Sequence, residues 1–270
     1  MKQVVESYKE KKIAQYLAEL PVGSKVLIVF WHGLGDLLMF RPIYHELTRH
    51  YCSQVSFDLC VQPGCGQTEA VPDALEISED KFVENHDIAF VINFPMSEGN
   101  LTMTKAEKCM RDEIGLPDLP LIPILQPPPK NILVGVHMQG TCLPGSTNPD
   151  ITLAKQIWDD ILEMGYAPFD LHFQHIFHNP INTPFTFAGR HCRDLKPSIA
   201  MLRNIIGSCG AFVGVASGPF VMALNIFPDK TIYLQKHHNI RCYDKAFSNV
   251  VDLLKYRKED LQFLLKRMVG

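Results

Sequence analysis

The sequence predicts an α/β protein with two Rossmann-like lobes and a central cleft, each lobe a parallel sheet flanked by helices. Short, nearly continuous apolar runs alternate with stretches of helical spacing, an order that is typical of parallel strands joined by crossover helices. A proline-rich segment at residues 120–129 interrupts this alternation near the middle of the 270 residues. We therefore predict one lobe over residues 1–126 and a second over residues 127–270, with the proline-rich segment at the hinge.

The first lobe opens with apolar residues at three- and four-residue spacings over residues 3–20, which predict an amphipathic helix. The apolar run at residues 25–30 is typical of a strand covered on both faces, and a glycine-containing turn joins it to a helical stretch at residues 37–50. This order is that of the opening unit of a doubly wound sheet. Further strands are predicted at residues 55–61 and 88–94, and a helix at residues 105–114.

The second lobe repeats the alternation after the hinge. Strands are predicted at residues 131–137, 169–173, 211–215 and 230–234, and helices at residues 151–164, 199–206, 219–226 and 258–268. We expect the last helix to pack back on the first lobe. Ligands of such sheets bind beyond the carboxyl ends of the strands, so candidate site residues are those that directly follow a strand.

Composition excludes several classes of function. The formal net charge is −3 and the cations are spread along the chain, which argues against a nucleic-acid-binding surface. The eight cysteines include no CxxC pair, so they do not indicate a zinc site. The opening residues lack the apolar core of a signal peptide, and no apolar run approaches the roughly 20 residues of a membrane span. We expect a cytoplasmic protein with at most peripheral membrane contact.

The first candidate site is the turn after the strand at residues 25–30, which contains Gly33, Gly35 and Asp36. Glycine permits a sharp turn and the close approach of a ligand. Asp36 falls in the first turn of the following helix, where a carboxylate either faces the ligand or caps the helix. The spacing alone does not distinguish these two roles.

The second candidate site follows the strand that ends at His137. Gln139, Gly140 and Thr141 are small or polar residues that can offer amides and a hydroxyl to a phosphate. The alternative is a polar connection that serves only to cap the helix at residues 151–164.

The third candidate site is the turn Ser217-Gly218-Pro219 between an apolar strand and a helix. Proline suits the first turn of a helix, and the helix start directs N–H groups and the positive end of its dipole toward an anion. A diphosphate would fit there. The alternative is a tight strand-to-helix turn without a ligand.

Other chemistries are less consistent with the sequence. His172, His175 and His178 are spaced by three, as on one face of a helix, but the local sequence is typical of a strand followed by a loop, which argues against a metal site. Ser217 lacks the GxSxG elbow of a hydrolase. The turn at Gly33 lacks the third glycine of a nicotinamide-binding loop. We therefore predict no metal and no cofactor.

Together these stretches resemble the ADP-heptose lipopolysaccharide heptosyltransferases, glycosyltransferase family 9. Residues 33–42 resemble the opening motif of that family, and residues 112–117 resemble its approach to the hinge. Residues 134–141 are similar to the strand and loop that open its second lobe, and residues 199–202 and 212–219 to its donor-binding segment.

The resemblance implies a GT-B fold and a metal-independent, inverting transfer from a nucleotide-diphosphate sugar, which acts as co-substrate, to a glycan, a lipopolysaccharide-like molecule or another hydroxyl acceptor. It implies Asp36 as the general base. The residues implied to hold the diphosphate are Gln139, Gly140, Thr141, Ser217, Gly218 and Pro219. Gly33, Gly35 and His137 are implied to line the cleft.

Two departures leave alternatives open. Residues 142–153 contain no Lys or Arg where the family carries a basic residue, so we consider Arg190 and Lys196 as sources of positive charge. Pro219-Phe220-Val221 stands where the family commonly has a histidine. One alternative is a non-catalytic protein that binds a nucleotide sugar, and another is a different enzyme on this scaffold, such as a nucleotide-sugar epimerase.

Overall fold

The computed structural model describes residues 3–6, 11–64, 67–69, 71–92, 114–116, 130–140, 148–171, 198–236 and 249–269. The chain divides into two compact units, Met1–Ile122 and Pro123–Gly270. Each unit is built on one sheet, of four strands in the first and five in the second, and every strand pairing described within them is parallel. The predicted α/β class with two parallel sheets is confirmed.

The first unit has the strand order β1-β4-β2-β3. Its strands are β1 (Gln3–Glu6), β2 (Ser24–Phe30), β3 (Val55–Val61) and β4 (Ile88–Val91), and its helices are α1 (Ile13–Glu19) and α2 (Leu34–Tyr51). Short 3-10 turns cover Gln67–Glu69 and Glu79–Lys81. The chain runs from β2 outward to β3 and returns on the other side of β2 to form β4, so the strand order reverses between β2 and β4.

The N-terminal segment corrects one prediction. The single helix expected over residues 3–20 is wrong, because Gln3–Glu6 forms an edge strand in parallel register with Ile88–Val91 and the helix covers only Ile13–Glu19. Val4 and Val5 are β-branched and favour an extended backbone. Val5 is buried in the core of this unit, so pairing with the sheet overrides the helical spacing of the apolar residues.

The core of the first unit fixes the turn between β2 and α2. Residues 26–30 are fully buried, as the continuous apolar run predicts. The buried residues of α2 recur every three or four positions, and they are Leu34, Leu37, Phe40, Ile43 and Leu47. The rings of Phe30 and Phe40 stack with centroids 4.2 Å apart. This contact joins the last residue of β2 to the helix that carries Asp36.

The second unit has the strand order β6-β5-β7-β8-β9. Its strands are β5 (Leu133–His137), β6 (Ala167–Asp170), β7 (Ala211–Gly214), β8 (Thr231–Gln235) and β9 (Val250–Asp252), and its helices are α3 (Ile151–Glu163), α4 (Ile199–Gly207), α5 (Gly218–Ile226) and α6 (Lys258–Val269). The chain runs from β5 outward to β6 and then to β7 on the other side of β5. The strand order of this sheet therefore reverses between β5 and β7.

The last helix contributes to the core of the second unit. Its buried residues are Leu261, Leu264, Leu265 and Met268, and they belong to the same cluster as apolar residues of α3 and of β5, β7 and β8. These contacts lie within the second unit, and the expected packing of the last helix on the first lobe stays a prediction. None of the helices that the structure describes is both long and apolar enough to cross a membrane.

Candidate functional site

The candidate residues lie where the strand order reverses in each sheet. In the first unit, the turn with Gly33 and Asp36 follows β2, beside the carboxyl end of β4. In the second unit, the loop with Gly140 follows β5 and the turn with Ser217 follows β7. Reversals of this kind are where doubly wound sheets bind ligands, because the connections diverge there and leave the carboxyl ends of two strands uncovered.

Asp36 is the third residue of α2, and it combines the two roles that the sequence left open. Its carboxylate accepts a hydrogen bond from the N–H of Gly33, the N-cap residue, as in one half of a capping box. The side chain is half-buried. Burial raises the pKa of Asp36 above its ordinary value, and the nearby His32 and the Gly33 N–H partly oppose that rise. A carboxylate that has lost part of its hydration is a stronger proton acceptor.

The turn does not need glycine at position 33. Gly33 has φ −61° and ψ 161°, an extended conformation that any residue adopts. A Cβ atom there would meet only the Asp36 Oδ2 atom, at an ordinary 3.5 Å. The backbone conformation and the room at position 33 therefore do not require glycine, and a role of Gly33 in ligand approach stays a prediction.

The side chains of His32, which is half-buried, and of Gln67, which is buried, hold the turn that carries Asp36. The ring of His32 donates from Nε2 to the carbonyl oxygen of Ile92 (2.8 Å), which bridges β2 and β4 at the strand-order reversal. The side-chain amide of Gln67 donates to the carbonyl oxygen of His32 (2.7 Å). Gln67 is 1% exposed, and its Oε1 atom has no hydrogen-bond partner in the part of the chain that the structure describes. A buried polar atom without a partner is rare and marks a candidate ligand contact.

In the second unit, β5 and β7 are tied together at their carboxyl ends. The N–H of Val215 donates to the carbonyl oxygen of His137 (2.9 Å). The Nδ1 atom of His137 and the hydroxyl of Ser217 lie 3.0 Å apart. His137 is 4% exposed, so its ring supports the Ser217 turn from inside the sheet.

Helix α5 begins at this turn with Ser217 as its N-cap. The Ser217 hydroxyl accepts a hydrogen bond from the N–H of Phe220 (3.3 Å). Pro219 has no N–H to donate. The N–H of Gly218 thus remains in the first turn without a partner among the described residues. The helix start presents this N–H and the positive end of its dipole at the edge of the sheet.

The loop after β5 is packed tightly against the Ser217 turn. The side chain of Asn148 holds Gly140 at two points, since its Oδ1 accepts from the Gly140 N–H (2.8 Å) and its Nδ2 donates to the Gly140 carbonyl oxygen (3.2 Å). Gln139 is 7% exposed, and its Oε1 atom has no hydrogen-bond partner within the described ranges. The loop with Gln139 and Gly140 therefore lies against the turn with Ser217 and Gly218, since a Cβ atom on Gly140 would lie 2.5 Å from the Ala216 carbonyl oxygen, and the role of these residues in binding a donor stays a prediction.

Several predicted site residues lie outside the described residues. They are Thr141, Arg190 and Lys196, and the histidines at positions 172, 175 and 178, for which no metal site was predicted, also lie outside them. Within the described residues, no group of three or more His, Cys, Asp or Glu side chains is arranged to hold a metal ion. A shallow depression of about 520 Å³ runs along the outer face of α3, and none of the candidate residues lines it.

No protein-family model matches the sequence, and no curated protein is significantly similar to it. Solved structures do share its fold. The ADP-heptose LPS heptosyltransferase II of E. coli aligns with a TM-score of 0.61 and 12% identity over 91% of this chain and 98% of that chain. A family 9 glycosyl transferase from Veillonella parvula aligns with a TM-score of 0.57 and 9% identity over 93% and 98%. The iron-containing dodecameric glycosyltransferase TibC of enterotoxigenic E. coli aligns with a TM-score of 0.54 and 11% identity over 80% of this chain and 58% of that chain.

These alignments confirm the resemblance at the level of fold. The chain has the fold of the heptosyltransferase-like, family 9 glycosyltransferases, with both of its units included in the matches. At identities of 9–12% the likeness concerns the backbone, and activity has to be argued from the side chains at the site.

Proposed function

We propose that this protein is an inverting glycosyltransferase that moves a sugar from a nucleotide-diphosphate donor to a hydroxyl group of an acceptor. One observation carries the proposal. The polar groups of both units gather at the two strand-order reversals of a fold that ADP-heptose heptosyltransferase II shares. A general base in one unit and an anion-binding helix start in the other are the two components that such a transfer requires.

The second unit would bind the donor. The N–H of Gly218 and the dipole of α5 suit the diphosphate, whose negative charge grows as the bond to the sugar breaks. Gln139 presents a buried oxygen atom that lacks a hydrogen-bond donor within the described residues. This atom suits a hydroxyl group of the donor better than a phosphate oxygen, because both would be acceptors in the second case.

The first unit would supply the base. Asp36 would take the proton of the acceptor hydroxyl while that oxygen attacks the anomeric carbon and the carbon–oxygen bond to the diphosphate breaks. The nucleoside diphosphate leaves with the electron pair, and this single displacement inverts the configuration of the sugar. A positioned base contributes roughly 10²–10⁴-fold to the rate.

We further propose that the transfer requires no metal, because a helix start and neighbouring cations can stabilise the leaving group. TibC is an iron-containing relative in fold, so the point needs a direct test. Activity that survives dialysis against EDTA and does not rise with Fe²⁺ or Mg²⁺ supports the proposal. Loss with EDTA and recovery with one metal ion contradicts it.

For the substrates, we propose ADP-heptose or a similar nucleotide sugar as donor and a glycan or lipopolysaccharide-like molecule as acceptor, by analogy with the E. coli enzyme. The first experiment is a thermal-shift screen with ADP, GDP, UDP and CDP and their common sugar conjugates. A ligand at 100 times its Kd stabilises the folded state by about 2.7 kcal/mol. If none of these compounds shifts the melting temperature, the proposed donor site is wrong.

A second candidate function is nucleotide-sugar binding without turnover. The hydrogen bond from Gly33 to Asp36 favours it, because a capping role explains this carboxylate without chemistry. Turnover and donor affinity of Asp36→Asn separate the two functions, with the exposed Asp80→Asn as control. An enzyme loses turnover in Asp36→Asn while keeping its donor affinity. A wild-type protein that binds the donor and transfers no sugar to any acceptor supports the binding function.

A further inference from the structure

Lys236 directly follows β8, the strand next to β7 in the second sheet. The carboxyl end of β8 lies at the same edge of the sheet as those of β5 and β7, since all three strands are parallel. Among the described residues of this unit, Lys236 is the one lysine or arginine that immediately follows a strand. It is half-buried, so its charge is less screened by water than that of a fully exposed lysine.

A chain of contacts joins Lys236 to the loop after β5. Its Nζ atom donates to the carbonyl oxygen of Asn148 (3.0 Å). The side chain of Asn148 in turn holds both backbone groups of Gly140. Asn148 therefore bridges the ammonium group of Lys236 and Gly140, whose loop the proposed function assigns to the donor. These contacts link position 236 to positions 140 and 148, which lie far from it in sequence.

A nucleoside diphosphate bound at the carboxyl edge of the second sheet needs a positively charged group to balance its charge. A nucleoside diphosphate carries at least two negative charges, while Gly218 offers one backbone N–H and Gln139 offers a neutral amide. Residues 142–153 contain no Lys or Arg. A lysine ammonium group has three donors, so Lys236 can keep the carbonyl oxygen of Asn148 and also donate a charge-assisted hydrogen bond to a phosphate oxygen.

We propose that Lys236 binds the diphosphate of the donor and that Asn148 positions both this lysine and the Gly140 loop. The inference rests on the proposed function, and it adds the residue that supplies the positive charge. Lys236 stabilises the negative charge on the leaving nucleoside diphosphate. Asn148 is a positioning residue, since its carbonyl oxygen holds the ammonium group and its amide holds Gly140.

Inorganic pyrophosphate is the probe that tests this inference without knowledge of the base or the sugar. Isothermal titration measures its Kd, and those of ADP, GDP, UDP and CDP, for the wild type, Lys236→Met and Lys236→Arg. Lys230→Met is the matched control, because Lys230 precedes the same strand and lies at its opposite end. We expect Lys236→Met to weaken binding about tenfold to a hundredfold, the value of a charge-assisted hydrogen bond. Lys236→Arg should retain most of the affinity and Lys230→Met all of it.

The outcomes separate the two proposals. If the wild type binds neither pyrophosphate nor any of the four nucleotides, the proposed function fails. If the wild type binds and Lys236→Met binds within twofold of it, the inference about Lys236 is overturned while the proposed function stands. Equal losses in Lys230→Met and Lys236→Met also overturn it, because the effect is then one of net charge. Circular dichroism melting of each variant checks that the fold is retained.

Discussion

A Cβ atom on Gly140 would lie 2.5 Å from the carbonyl oxygen of Ala216. The loop after β5 and the turn after β7 are therefore in contact at backbone level, and only glycine fits at position 140. This contact holds Gln139 beside the start of α5. The contact with Ala216 explains physically why position 140 is a glycine. From the sequence, Gly140 was assigned to the donor site through the family resemblance.

Gly140→Ala should damage the proposed donor site more than it damages the fold. The added methyl group must push the loop away from Ala216, and such overpacking costs about 1–3 kcal/mol. We expect donor affinity to fall at least tenfold as Gln139 moves with the loop. Urea unfolding and titration with the nucleotide found in the screen measure the two effects. Gly33→Ala, whose methyl group meets nothing closer than 3.5 Å, should cost no more than about 1 kcal/mol, the scale of an N-cap change.

Ser217→Ala should lower the free energy of unfolding by about 1–2 kcal/mol. The substitution removes the N-cap of α5, which is worth about 1 kcal/mol, and the hydroxyl that contacts the buried His137. Ser217→Thr keeps the hydroxyl and should restore most of the stability. Chemical denaturation of the wild type, Ser217→Ala and Ser217→Thr measures these free energies of unfolding. A Thr variant as unstable as the Ala variant contradicts the capping role.

Gln139→Leu should weaken donor binding without destabilising the protein. The Oε1 atom of Gln139 is buried and accepts no hydrogen bond from the described residues, so its replacement by an apolar group removes a desolvation cost. Gln54→Leu is the matched control, because the Gln54 amide donates to the carbonyl oxygens of Leu17 and Leu20. We expect the control to lose about 1–3 kcal/mol of stability and to keep its donor affinity. Equal destabilisation in both variants would assign Gln139 to the fold alone.

Gln67→Met should act on the turn that carries Asp36. The variant keeps the size of the side chain and loses the hydrogen bond to the His32 carbonyl oxygen, which should cost about 1–3 kcal/mol. If Gln67 positions Asp36, kcat falls several-fold while donor affinity is unchanged. The exposed Gln62→Met is the control and should leave kcat and stability unaltered. An unchanged kcat in Gln67→Met limits this residue to a structural role.

The sequence allowed most of the fold to be predicted because its signals are local. The continuous apolar run of β2 and the regular apolar spacing of α2 both arise within a few residues of sequence. The prediction of a helix at the N-terminus was wrong because the secondary structure of this segment depends on a partner strand some 85 positions away, at residues 88–91. Spacing alone cannot reveal such a partner.

The site was predictable only in part for the same reason. Gly140 and Ser217 follow strands, so topology rules locate them at the sheet edge. Gln67 and Asn148 are ordinary polar residues in sequence, and their roles come from contacts with His32 and Gly140. The Lys236 contact with Asn148 spans 88 positions. The topology rule places Lys236 and Lys230 at opposite ends of the strand, but no local pattern predicts the contact of Lys236 with Asn148.

Asp36 gives the sharpest prediction, because its effects on stability and on turnover have opposite signs. Burial raises its pKa in the folded protein above the ordinary value of about 3.9. Between these two values the folded state binds more protons than the unfolded state, so stability falls as pH rises through this window and stays lower at neutral pH. Asp36→Asn keeps an oxygen atom for the Gly33 N–H and removes the buried charge. It should therefore be at least as stable as the wild type at pH 7, and this advantage should vanish below pH 4.

The same titration should control the reaction. Turnover of the wild type should rise with pH as Asp36 loses its proton, with an apparent pKa above the ordinary value of an aspartate. Asp36→Asn should lose roughly 10²–10⁴-fold in kcat. The residual kcat of this variant should no longer rise with pH over the range in which Asp36 titrates. Urea unfolding at pH 7 and pH 4, together with kcat measured across the same range, tests both effects on one pair of proteins. A variant that is less stable at neutral pH and keeps its turnover would show that the carboxylate serves only as a helix cap.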